Sequence, residues 1–142
     1  MKHLLPFVTV IFVFLGCGNT NIPGNMMPLD TQNFKDYIFD LDTVFSYNQI
    51  KPSVLYFYSP RVLNCTKQTP TAEQIAGVYF DVIQFYSINY EENIKIAEAF
   101  KISKLPAFVF VPLNNNIQSI SGGVISYHDL EDAFDNIFGI NK

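Results

Sequence analysis

The chain has 142 residues, of which 49% are hydrophobic and 15% charged, with nine basic and thirteen acidic side chains and a net charge of −4. That length carries one domain's worth of core, the apolar content excludes a disordered chain, and the acidic balance excludes nucleic acid, whose recognition needs clustered Lys and Arg. Only Cys17, Cys65, His3 and His128 could supply soft metal ligands; they lack zinc spacing, and nothing in the sequence calls for a metal or a cofactor.

Lys2 and His3 form a short basic start, and Leu4 to Leu15 is a twelve-residue apolar run. The run is too short to span a bilayer and suits a secretory signal. It ends at Phe14-Leu15-Gly16-Cys17, which resembles a bacterial lipobox, with Phe14 where leucine is usual. The resemblance implies that residues 1–16 are removed and that Cys17 becomes a lipidated N-terminus. An ordinary signal peptide cut nearby, with Cys17 left as a thiol, is the alternative. Asn19 to Pro28 has the aperiodic, turn-forming composition of a tether. The expected organisation is therefore a signal peptide (1–16), a tether (17–29) and a globular domain (30–142), extracytoplasmic and anchored to a membrane as a periplasmic or cell-surface lipoprotein. Loss of Lys2 leaves eight basic against thirteen acidic groups, 8 − 13 = −5. Attachment would then rest on the lipid at Cys17 rather than on charge.

In the globular part, Asp30 or Thr31 can cap a helix with Phe34, Tyr37, Ile38, Leu41 and Phe45 at three- and four-residue intervals, stopped by Lys51-Pro52. A short strand within Tyr37 to Val44 is the alternative. Val54 to Tyr58 is apolar and β-favouring and predicts a buried strand, followed by a turn at Ser59-Pro60 and a helix from Val62 to about Ala76 containing Pro70. Val82 to Ile88 predicts a second buried strand, and the segment after Tyr90 a helix through Phe100 with Ile96, Ala99 and Phe100 inward. Ala107 to Val111 and Ile117 to Ser121 read as a hairpin about Asn114-Asn115-Asn116. Ser126 with Asp129 resembles a capping box for a last helix burying Leu130, Ala133, Phe134 and Ile137. Strands alternating with helices, then a hairpin and a helix, predict an α/β fold with helices on both faces of the sheet.

The segment Val54 to Pro70, V-L-Y-F-Y-S-P-R-V-L-N-C-T-K-Q-T-P, resembles the thioredoxin family's pattern of a hydrophobic strand, then Cys-Gly-Pro-Cys opening a helix that a proline bends five residues later. Val62-Leu63-Asn64-Cys65 occupies the C-x-x-C slot and Pro70 the bending proline. The likeness continues through Asn89, Ile102-Ser103-Lys104-Leu105-Pro106 and Gly123. It implies a thioredoxin-like fold with a central mixed sheet and a cis bond before Pro106.

It also implies what this chain lacks. The attacking cysteine's place is held by Val62, and only the resolving-type Cys65 remains. The family's buried acid aligns with Tyr56, its partner lysine with Ser87, and the tryptophan before the first cysteine with Arg61. Thiol exchange needs an exposed low-pKa thiolate and a second thiol, so the implied function is a redox-inactive protein-binding or scaffold module. The alternative is a monothiol oxidoreductase or redox adaptor using Cys65. Leu105, Pro106 and Val62 would form the face for a protein or peptide partner, by strand-like pairing beside the proline; the alternative is that Pro106 only shapes its turn. His128 reads as a solvated residue at the far end of the domain from Cys65.

Overall fold

The computed structural model describes residues 26–41 and 49–141. In chain order these form β1 (Met27–Pro28), α1 (Phe34–Tyr37), β2 (Ser53–Tyr58), α2 (Leu63–Tyr79), β3 (Gln84–Asn89), α3 (Ile94–Ala99), β4 (Ala107–Val111), β5 (Gln118–Ser121) and α4 (Tyr127–Phe138). The strands make one mixed sheet in the order β1-β3-β2-β4-β5. β1 and β2 run parallel to β3, β4 is antiparallel to β2, and β5 is antiparallel to β4.

Both faces of the central strands are buried, which is why β2 and β4 read as continuous apolar runs rather than as alternating ones. The two-residue period still sorts them. Val54, Tyr56, Phe108 and Phe110 pack with Ala72, Ile75, Tyr79 and Phe134 of α2 and α4. Leu55, Phe57, Val109 and Val111 pack on the other face with Phe34, Ile96 and Ala97 of α1 and α3. The expected α/β architecture with helices on both faces is thus present. β4 matches its expected span, and Asn115 takes φ 66° in the hairpin turn. Ser126 Oγ accepts from the Asp129 amide at 3.1 Å and caps α4.

Several boundaries differ from the sequence expectation. The folded domain begins before residue 30, within the span expected as a tether: Met27–Pro28 pairs with β3, and Met26 and Leu29 are buried. Turn-forming composition concealed a two-residue edge strand that owes its order to the sheet beside it. The first helix is a single turn. Asp30 Oδ1 accepts from the amides of Gln32 and Asn33 at 2.8 and 2.9 Å, so Asp30 orders the preceding turn, and Asn33 is the N-cap. The helix ends at Tyr37: Ile38 turns the chain with φ −114° and ψ −78°, and Phe39 packs edge-on against Phe34 at 5.6 Å, both residues being buried. Phe45 lies outside the described residues, as do Met1 to Leu15 and Cys17.

In α3 the inward residue is Ala97, and Ala99 is exposed, because the helix starts only at Ile94 and turns Ile96 and Ala97 to the sheet. α2 runs past Ala76 to Tyr79, whose ring packs on Phe134 at 5.1 Å and whose hydroxyl donates to Glu131 at 3.0 Å. Pro70 lies within α2 on its exposed side, where water can take up the carbonyl that loses its amide partner.

Candidate functional site

The C-terminal end of β2 delivers the chain to the site. Ser59 is buried, the Val62 amide donates to the Ser59 carbonyl at 3.2 Å, and Val62, with extended backbone (φ −96°, ψ 116°), is the N-cap of α2. The Cys65 amide returns to the Val62 carbonyl at 2.9 Å. Val62 to Cys65 is therefore the first turn of a helix, with Val62 half-buried, Leu63 67% exposed, Asn64 exposed and Cys65 only 1% exposed.

The Cys65 thiol is free and points inward. The Ser59 amide donates to Sγ at 3.5 Å, and burial pushes the thiol pKa up, with that amide opposing the shift. A thiol so placed is protonated at neutral pH and poorly nucleophilic. Beneath it, the Tyr56 hydroxyl donates to the Cys65 carbonyl at 3.3 Å and lies 3.0 Å from Thr69 Oγ1, which itself donates to that carbonyl at 2.9 Å. Burial also pushes the Tyr56 phenol well above its ordinary pKa. Tyr56 pairs in register with Ser87, also buried, so two uncharged hydroxyl residues hold the neighbouring positions that the family likeness assigns to an acid and a lysine.

The register Phe57↔Ala107 sets Pro106 beside the end of β2, on the same end of the sheet as Val62. The Leu105–Pro106 peptide bond is cis, Pro106 is buried, and Leu105 is half-buried. The Pro106 carbonyl accepts from the Gly122 amide at 3.1 Å. Gly122 has φ +89°, a backbone conformation that favours glycine, and a Cβ there would stand 2.9 Å from Cδ of the exposed Lys104 side chain, which would have to swing aside. Val62, Leu63, Leu105, Pro106 and the Gly122-Gly123 turn thus gather at one pole of the sheet.

Two residues at this pole escaped the sequence reading. Glu91, in the turn after β3, accepts from the Ser59 hydroxyl and pairs with Arg61 across 3.5 Å, so Arg61 does not stand alone in charge. The signal was available in principle: β3 is parallel to β2, so the residues after both strands emerge together. Gln68, fully buried, is the other. Its Nε2 donates to the Ile125 carbonyl at 3.0 Å and its Oε1 accepts from the Ile125 amide at 2.6 Å, tying α2 to the approach to α4. That tie corrects the placement of His128: α4 begins on the cysteine's half of the domain, not at the far end. The imidazole is nevertheless exposed, 3.9 Å from both Glu131 and Asp132. Among the described residues no cluster of three His, Cys, Asp or Glu could hold a metal.

The thioredoxin family model matches residues 25–136. Among curated proteins the chain is similar to the thioredoxin of Borreliella burgdorferi, 27% identical over 111 residues that cover 77% of this chain and 91% of that protein. Among solved structures it is similar to the thioredoxin of Malassezia sympodialis, with TM-score 0.62, 21% identity and coverage of 78% of this chain and 89% of that one. The family model spans well over half of the chain, and the chain belongs to the thioredoxin family.

Proposed function

We propose that the protein is a membrane-tethered, extracytoplasmic thioredoxin-like domain that binds a protein or peptide partner at the Val62 and Pro106 face and does not run dithiol exchange. The observation that carries this is the pairing of Val62, which has no nucleophile, with a Cys65 thiol that is 1% exposed and shifted away from its thiolate form. Leu63 and Leu105 supply apolar surface beside a backbone turned by the buried Pro106, which suits an extended peptide. Tethering rests on the apolar run before Cys17.

A second reading, a monothiol oxidoreductase or redox adaptor using Cys65, is favoured by the name of the curated relative, a thioredoxin. Timed labelling of the native protein with a maleimide separates the two. Labelling that waits for unfolding supports the binding module, whereas labelling at the rate of a free thiol supports the oxidoreductase. Mass spectrometry of protein from its native host, showing residues 1–16 gone and acyl mass on Cys17, tests the tether.

A further inference from the structure

The pole opposite the cysteine is also apolar. Ser53 is level with Gln84 and Val111, so the starts of β2 and β3 and the end of β4 meet there. Three connections at this end each hold out a large apolar side chain: Ile50 is 91% exposed, Phe80 64% and Leu113 56%. They belong to one surface. Lys51 Nζ donates to the Phe80 carbonyl at 3.5 Å, and Pro52 shares a shallow groove with Pro112 and Leu113. Exposed apolar groups clustered this way mark an interaction surface rather than the scattered ones every protein shows.

The chain itself indicates what covers that surface. β1 is parallel to β3, so the segment preceding Met26 leaves the domain from this end. Only eight residues, 18–25, lie between Cys17 and Met26, and a random-coil chain of that length would span on the order of 16 Å. A lipid on Cys17 would hold this pole close to a bilayer and keep the cysteine pole beyond it. Lys51 adds an amine on a flexible stem that can reach headgroup phosphates while its methylenes cover apolar surface. We infer that the Ile50, Phe80 and Leu113 pole rests on the lipid surface that holds Cys17, so that the Val62 and Pro106 face is presented away from the membrane. This inference rests on the tether of the proposed function.

The test uses the full chain, expressed with its leader in a lipoprotein-acylating host and reconstituted into phosphatidylcholine vesicles with brominated acyl chains. An environment-sensitive fluorophore is attached in a Cys65→Ser background through Leu113→Cys or, on the other pole, Leu63→Cys. We expect the protein to float with the vesicles, the label at 113 to be quenched several-fold by bromine, and the label at 63 to be unaffected. Ile50→Ser with Phe80→Ser should abolish quenching at 113 while flotation persists. Flotation with equal quenching at both positions, or at neither, would overturn the orientation and leave the tether standing. Loss of flotation would remove the tether and the orientation together. Shielding of the 113 label in detergent that grows with protein concentration would assign the pole to a second copy and overturn the inference.

Discussion

Tyr56 and Cys65 meet where β2 feeds α2, the phenol hydroxyl donating to the cysteine's carbonyl at 3.3 Å while the thiol faces the Ser59 amide on the other side. The carbonyl is doubly served, because Thr69 Oγ1 also reaches it at 2.9 Å. Tyr56→Phe should therefore leave no buried acceptor orphaned. The ring still stacks on Phe108 at 4.9 Å. The expected loss is that of one neutral hydrogen bond, about 0.5–1.5 kcal/mol, read from the urea midpoint at unchanged slope. A loss of about 3 kcal/mol or more would mean that the hydroxyl organises the turn and not one bond.

Restoring the missing cysteine tests the assignment of the slot. In Val62→Cys the two sulfurs fall on one helix turn, since the Cys65 amide already bonds the residue 62 carbonyl at 2.9 Å. Mild oxidation should remove both free thiols without dimer formation. Disulfide reductase turnover should stay roughly 100-fold or more below that of a family member with its proton-transfer groups, because Tyr56 and Ser87 supply no buried acid or base. A variant that folds but cannot close the disulfide would show that the turn geometry is not that of a C-x-x-C loop.

Cys65 should respond weakly to alkaline pH. Burial raises its pKa, so at any pH near 8 its thiolate fraction lies below that of a free cysteine, and the labelling profile should be displaced to higher pH. The sign for stability follows. Between the ordinary and raised values the folded state binds the extra proton, so stability is full below the ordinary value and declines as pH rises through the raised one. Labelling followed against pH in native and urea-unfolded protein checks both the direction and its dependence on folding.

Alkaline unfolding should be governed by buried phenols. Burial pushes Tyr79 and Tyr86 each up to about 12. Their ordinary value is near 10, so stability should hold below about 10 and fall as pH climbs towards 12. Tyrosinate absorbance and circular dichroism should change together in that window. Free titration of all tyrosines near 10 in the folded state would contradict the burial described for these two.

Gln68→Ala should be among the costlier single changes. The side chain is fully buried and satisfies both the amide and the carbonyl of Ile125. Its removal strands two polar groups, each costing about 1–3 kcal/mol when left unpaired and dry. Thermal melting should drop by several degrees or more. Gln68→Glu, which at neutral pH would bury a carboxylate with one oxygen against the Ile125 carbonyl, should not restore that stability.

The succession of elements from β2 onward and both helix-covered faces were legible in the sequence, because burial on both sides of β2 and β4 leaves long apolar runs and because Ser126, Pro70 and Asn115 act through local backbone geometry, whereas the V-L-N-C slot was assigned through the family resemblance. What the sequence could not disclose are relationships whose partners are far apart in the chain. β1 is two residues of turn-like composition that become a strand only beside Tyr86 and Ser87. Glu91 joins the site because parallel strands end together, and Gln68 matters because Ile125, 57 residues on, has an amide and a carbonyl to satisfy. Local propensity cannot encode such pairings, since the free energy that fixes them comes from burial and hydrogen-bond closure in the assembled domain.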